Sequence, residues 1–313
     1  MAVPGRAALA GRPGGDLAIH EERHVDPRVM PGDDDLRECG TLIVPQINPA
    51  RRLRQFDCPT LPPVIGHRGA AARAPENTLA GLRAAKQLGC SWVEFDVRLT
   101  ADGALVLCHD ASLERTTDGS GVISALSLAA IRDCDAGSRF GPGFAGEPVP
   151  TLEEALLLAS EIDLGSNIEI KAERGREYAT AAAVAATIER LRGRLPGLLA
   201  SSFLPSALTA LRALAPQIPR GLLFRLLPRG WAVLAARLDV AMIGAEHRQL
   251  RPYGIAEIRA AGYPLAAYTV NDPARARQLY GWGVTSVFAD APDILLQVNL
   301  DQSPPLMRQG AMR

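Results

Sequence analysis

The sequence is short of several features that would each decide a class at once. Neither sign of charge prevails, because 34 Lys and Arg balance 34 Asp and Glu among the 313 residues. A broad basic face for nucleic acid is therefore not expected. The five cysteines, Cys39, Cys58, Cys90, Cys108 and Cys134, are odd in number and form no CxxC pair. That argues against a disulfide framework and against a structural zinc site. Cys90 and Cys108 lie in apolar runs and read as small buried hydrophobes. No apolar run approaches the ~18 residues needed to cross a bilayer. The opening MAVPGRAALAGRPGGDLAIHEE offers only AALA where a signal peptide carries an apolar core of ~7–15 residues. These absences predict a soluble, cytoplasmic protein with no integral membrane association.

What is present is a sizeable apolar fraction, 47%, arranged unevenly. Residues 1–60 mix charge, Gly and Pro in GRPGGD, PGDDDLRE and NPARRLRQFD. They read as a poorly structured N-terminal extension with too little apolar surface to order itself. GTLIVPQI within it is a possible short strand, and His20 and His24, four apart, lack a third metal ligand nearby. Residues 301–313 read as a C-terminal tail.

Between them the texture becomes strand, then helix, repeatedly. Strand candidates are 63–67, 91–97, 167–172, 198–203, 220–224, 240–247, 264–270 and 285–290. Helical spacing marks NTLAGLRAAKQLG, closed by the C-cap signal Gly89, and then EYATAAAVAATIERLRGRL, PSALTALRAL, WAVLAARL, YGIAEIRAAG and DPARARQLYGWG. Eight strands alternating with helices predict a (β/α)8 TIM barrel over residues 61–300. The doubly wound open sheet is the rival, weakened because no GxGxxG follows the first strand. Residues 99–150 exceed an ordinary βα loop. They predict a small insertion between strands 2 and 3, at about 110–150, on the catalytic face.

In such a barrel, chemistry sits at the C-terminal strand ends. Those positions carry His67 and Arg68, then Glu94 and Asp96, then His109 and Asp110, then Glu169 and Lys171. Phe203, His247, Tyr268 with Asn271, and Asp290 come later. Glu94 and Asp96 are two apart in VEFDV, so both point to one face of the strand. Glu169 and Lys171 in IEIKA do the same. Carboxylates aimed into a barrel need compensation. Arg68, Arg98 and Lys171 could neutralise them as ion pairs. Three clustered oxygen ligands are also what a hard divalent cation, Mg2+ or Ca2+, requires. Two histidines beginning polar turns suit acid–base work near neutrality, such as proton transfer in P–O cleavage.

The blocks HRGAAARAPENTLAG, VEFDVRLTADGALVLCHDASLERTTDGSG, PTLEEAL, IEIK, YTVND and GVTSVFADAPD resemble, in this order, the motifs of glycerophosphodiester phosphodiesterases, over about residues 62–298. The resemblance is to the cytoplasmic bacterial branch, and residues 1–60 have no counterpart there. It implies a (β/α)8 fold, a divalent cation, and release of sn-glycerol 3-phosphate and an alcohol from deacylated phospholipids. By position it implies metal ligands at Glu94, Asp96 and Glu169, acid–base catalysis by His67 and His109, and phosphate contacts at Arg68 and Lys171. Tyr268 stands where many members have Trp, and would wall the substrate. The mechanism implied is attack by the glycerol 2-hydroxyl, giving a cyclic phosphate that water opens. Asp290 and Pro292 read as barrel closure. Glu76 and Asn77 read as a helix start with Asn77 as its cap, or as supports behind the site. Two other readings are a related lipase, such as a lysophospholipase D or a phosphatidylinositol-specific enzyme, and an inactive barrel acting as a scaffold. The first would need an apolar rim, for which Phe140, Phe144 and LLFRLLPRGW are the candidates; the second would be favoured by loss of a site residue, and all are present.

Overall fold

The computed structural model describes residues 60–297. The extension, its His20–His24 pair, the GTLIVPQI stretch and the C-terminal tail lie outside the described residues.

Eight parallel strands form the centre: β1 (Val64–Gly66), β2 (Trp92–Leu99), β4 (Gly165–Ile170), β5 (Leu198–Ser202), β6 (Arg220–Phe224), β7 (Met242–Glu246), β8 (Leu265–Tyr268) and β9 (Ser286–Ala289). Each pairs with the next, and β1 pairs with both β9 and β2, so the sheet closes on itself. The protein is a (β/α)8 barrel, with one strand for each of the eight stretches expected from the sequence. A ninth strand, β3 (Leu105–Leu107), runs antiparallel against the end of β2, with Val97 opposite Leu107.

The helices follow apolar spacing and local stop signals: α1 (Leu79–Gln87), α2 (Leu128–Arg132), α3 (Leu152–Glu161), α4 (Glu177–Arg190), α5 (Pro205–Leu214), α6 (Trp231–Leu238), α7 (Pro252–Ala260), α8 (Pro273–Trp282) and α9 (Pro292–Leu296). Four of them, α5, α7, α8 and α9, begin with a proline in the first turn, where its missing N–H costs nothing. Helix α3, which serves the second repeat, was not expected from periodicity. It is opened by a reciprocal cap in which Thr151 and Glu154 satisfy each other's backbone N–H groups. The cap of α1 is Thr78, whose hydroxyl accepts from the Gly81 N–H at 3.0 Å. Asn77 is therefore not the cap; its amide is committed elsewhere, as described below.

Strand alternation divides the core. Val93, Phe95, Val97, Ile168 and Ile170 face outward and pack, fully buried, under the helices. Ile65, Trp92, Leu199, Leu223, Met242, Ala266 and Phe288 form a separate cluster. Trp92 fits there because two neighbours are glycine. A Cβ at Gly165 would come within 2.3 Å of its ring, and one at Gly197 within 2.5 Å. The insertion has a small core of its own, with Val106, Cys108, Leu113, Ile123, Ile131, Ala136 and Val149 buried together. Among the described residues no helix is long and apolar enough to cross a membrane.

Packing around Trp92 is thus tight on the Gly165 side. Gly165→Val is expected to lower the unfolding free energy by about 1–3 kcal/mol, the usual cost of overpacking. Chemical denaturation followed by fluorescence measures it; a variant as stable as the parent would show that the ring has room to move.

Candidate active site

The strand period delivers Glu94 and Asp96 to the same side of β2. The β2–β4 register then sets Asp96 beside Glu169. All three carboxyl groups are buried, at 2%, 1% and 7% exposure, and one oxygen of each lies within 4.8 Å of the others. Two cations answer them. Lys171 Nζ stands 2.5 Å from Glu169 Oε1 and 3.2 Å from Asp96 Oδ1. Arg68 Nε is 3.4 Å from Asp96 Oδ2, and the Arg68 backbone N–H donates to Glu94 Oε2 at 3.1 Å. Arg98, offered above as a third counter-ion, instead donates to the His109 carbonyl at 3.0 and 2.7 Å.

Three negative groups thus face two positive ones. Burial raises the Glu94 carboxyl well above its usual range, and the neighbouring charges of Asp96 and Glu169 add to this. Glu169 is pushed up to about 7, again by burial first and Asp96 second. Burial also pushes Asp96 up, but Lys171 and Arg68 outweigh it and hold that carboxyl below its ordinary value. Glu94 Oε1 is buried without a hydrogen-bond partner. An all-oxygen donor set with surplus negative charge and an unpartnered oxygen fits a hard divalent cation. The residues that would hold it are Glu94, Asp96 and Glu169.

The side chains around this trio are each tied down. Asn77 sits with φ at +57°, and its amide brackets Asp96. Its Nδ2 donates to Asp96 Oδ2 at 2.9 Å, and its Oδ1 accepts from the Asp96 backbone N–H at 3.0 Å. Arg68 also has a left-handed backbone, φ +51°, which a side chain adopts only against strain. That turn lets both its amide and its guanidinium face the carboxylates. Arg68 Nη1 donates to Glu76 Oε1 at 2.8 Å.

The two imidazoles meet carboxylates in the same way. His67 Nδ1 lies 2.6 Å from Asp290 Oδ1, and its Nε2 lies 3.9 Å from Glu94 Oε2. Asp290 is itself steadied by Asn271, whose Nδ2 donates to Oδ2 at 2.7 Å. His109 Nδ1 lies 2.7 Å from Asp110 Oδ1. Burial, with Arg68 and Lys171 nearby, lowers the His109 pKa against the opposing pull of Asp96 and Asp110. Arg115 closes the ring: it donates to Asp110 Oδ2 at 2.5 Å and to both oxygens of Glu76 at 2.7 Å.

His67, Arg68, Glu94, His109, Glu169, Lys171 and Tyr268 line one cleft at the strand ends, together with Phe203, Leu223, Arg225, Thr269 and Phe288. Phe203 and Tyr268 meet edge to face at 5.6 Å, and the Tyr268 hydroxyl donates to the Phe224 carbonyl at 2.6 Å. Asp96, Glu76 and Asn77 stand behind these walls. His247 is not among the lining residues; Arg275 Nε donates to its Nδ1 at 3.3 Å. Arg73 pairs with Asp293 of α9 at 2.9 Å. Asp110 and Asp290 stand among the strand-end residues picked out above, Asp290 as barrel closure, but their pairing with the two histidines was not expected, and Arg115 was not singled out. Asp290 ends the strand that closes against β1, and that adjacency was the available signal.

A (β/α)8 barrel whose strand ends gather three buried carboxyl groups and two carboxylate-held imidazoles in and behind one cleft has the layout of a hydrolase site. The chain belongs to the glycerophosphoryl diester phosphodiesterase family, whose sequence model matches residues 67–294. It is 32% identical over 240 residues to a glycerophosphodiester phosphodiesterase of Caldanaerobacter subterraneus, covering 75% of this chain and 96% of that one. Among solved structures it is similar to an Oleispira antarctica phosphodiesterase in complex with the product sn-glycerol-3-phosphate, at 41% identity and TM-score 0.73, over 76% of this chain and 96% of that one. A glycerophosphodiester phosphodiesterase from Agrobacterium tumefaciens matches at 31% identity and TM-score 0.65, over 75% and 99% of the two chains.

The carboxylate trio carries a pH signature. Glu169 binds its proton more tightly in the folded protein than its ordinary 4.5, and Glu94 shifts the same way. Stability contributed by the Glu169 proton is present below about 4.5 and is lost as pH rises through about 7. Asp96 is shifted downward from 3.8, so its own window lies lower and does not oppose the trend. A divalent cation held there would take the protons' place. His109 and His247, held below their ordinary 6.5, work the other way between pH 5 and pH 8, so the cation is the cleaner probe: Mg2+ or Ca2+ should raise the melting temperature more at pH 8 than at pH 5. An equal or larger gain at pH 5 would contradict this reading.

Proposed function

We propose that the protein hydrolyses glycerophosphodiesters to sn-glycerol 3-phosphate and an alcohol, with Mg2+ or Ca2+ held by Glu94, Asp96 and Glu169. The observation that carries this is the buried trio, set between two imidazoles that each rest on a carboxylate. Membership of the family supports it, as does the product found in the Oleispira antarctica relative.

The cation would supply positive charge to the phosphate oxygens. The remaining work falls to side chains. Arg68 and Lys171, already held among the carboxylates, add positive charge where the phosphate enters. The Phe203–Tyr268 wall gives the glycerol carbons an apolar surface, and the hydrogen bond from Tyr268 to Phe224 keeps that ring in place. Asp290 and Asp110 occupy the Nδ1 side of His67 and His109, which leaves each Nε2 to carry a proton.

The first step is attack of the glycerol 2-hydroxyl oxygen on phosphorus. One imidazole takes the hydroxyl proton, the other protonates the departing alkoxide, and a five-membered cyclic phosphate forms. Water then attacks the cyclic diester along the same proton path in reverse, so each histidine serves once as acid and once as base.

With glycerophosphoethanolamine and Mg2+ or Ca2+, release of glycerol 3-phosphate is expected to depend on the cation and to stop in chelator. His67→Ala and His109→Ala should each lower kcat by about 10²–10⁴, the usual worth of one acid–base group, while circular dichroism shows an intact fold. An analogue lacking the 2-hydroxyl should not be turned over. Full turnover in both histidine variants would remove the acid–base mechanism.

A further inference from the structure

A second cleft lies beside the first, between the loop after β1 and the insertion. It is lined by Ala71, Pro75, Glu76, Arg115, Thr116, Ala136, Arg139 and Phe140, and holds about 150 Å3. Two of its walls, Glu76 and Arg115, belong to the network that holds Arg68 and His109. We propose that this cleft receives the leaving alcohol, and that its arginines select polyol or acidic headgroups against quaternary ammonium ones. This inference rests on the phosphodiesterase reading and adds the headgroup class.

Displacement at phosphorus fixes where the departing alcohol lies. The attacking and departing oxygens lie roughly in line, so the glycerol O2 forms its bond on the side of phosphorus opposite the departing alcohol oxygen. The apolar lining of the main cleft, Phe203, Leu223, Tyr268 and Phe288, comes from the ends of β5, β6, β8 and β9, away from β2 and β3 in the closed sheet, a surface suited to the glycerol carbons. On the other side stands His109, whose partner Asp110 is bound by Arg115. An alcohol projecting past His109 therefore runs over Arg115 into the second cleft.

The charges there do not cancel. Arg115 is shared between Glu76 and Asp110, and Glu76 is also bound by Arg68. Arg139 donates through Nε to the Thr117 carbonyl, which anchors it. No carboxylate pairs with its guanidinium among the described residues. Its sequence neighbour Asp135 is occupied, accepting backbone N–H groups from Gly137, Ser138 and Gly146 at 2.7–2.9 Å. Phe140 stacks edge to face on Phe144 at 5.3 Å and closes the outer wall. The cleft thus offers guanidinium donors for hydroxyl or carboxylate oxygens. A trimethylammonium group would find one ring, no free carboxylate and an opposing positive charge.

The test compares kcat/KM for glycerophosphoglycerol and glycerophosphocholine, with Mg2+ present, in the wild-type protein and in Arg139→Glu. The wild type should favour glycerophosphoglycerol. Charge reversal should move the ratio towards choline by roughly threefold to tenfold, the scale of partly screened charges several ångströms apart. Arg139→Gln should move it in the same direction by less. Arg139 is exposed and outside the acid–base machinery, so turnover of at least one diester should persist. A ratio unchanged in both variants, with turnover intact, would overturn the subsite while leaving the hydrolase reading standing. If the wild-type protein cleaves neither diester, the hydrolase reading fails and the subsite goes with it.

Discussion

Three carboxyl groups buried within 4.8 Å of one another are the constraint on which the rest of the site depends. At that separation and burial, like charges repel strongly, and no fold holds them together without an answer. Lys171 and Arg68 supply two positive charges, and the surplus appears as the raised carboxyls of Glu94 and Glu169. The arrangement costs stability in the metal-free protein. It makes sense where a cation is the final counter-charge, and the barrel supplies the rigid frame that such a cluster needs. Glu94, Asp96 and Glu169 ride on adjacent paired strands, so their spacing is set by the sheet and not by loops.

The same barrel closure explains how the histidines are oriented. Asp290, at the end of β9, reaches His67 after β1 because those two strands are neighbours in the closed sheet. His109 comes from the insertion side and has its own carboxylate, Asp110. The two halves of the mouth are joined by Glu76, which accepts from Arg68 of the first loop and Arg115 of the insertion. Loop and insertion are thereby one electrostatic unit. The insertion also packs around a small core of its own.

Much of this was legible in the sequence where periodicity and chemistry coincide. VEFDV and IEIKA announce inward carboxylates because the strand period is two, and eight such apolar runs imply a closed barrel. The pairings that escaped notice join residues far apart in the chain, which barrel closure and the insertion bring together. Asp290 lies 223 residues from His67, and Arg115 reaches Glu76 across 39. Helix α3 was hidden because LEEALLLASE is apolar on much of its surface, so a helical stripe does not stand out. Asn77 looked like a cap because Asn caps helices well. Thr78 takes that place, and the Asn77 amide matches both the carboxylate and the backbone N–H of Asp96, a pairing visible only in three dimensions.

Anomalous scattering from crystals soaked in Mn2+ would show whether Glu94, Asp96 and Glu169 hold the cation. A peak bounded by oxygens of all three carboxylates is expected, lost in Glu169→Gln soaked in the same way. A peak elsewhere, or none at the trio with Lys171 still bridging Asp96 and Glu169, would contradict it.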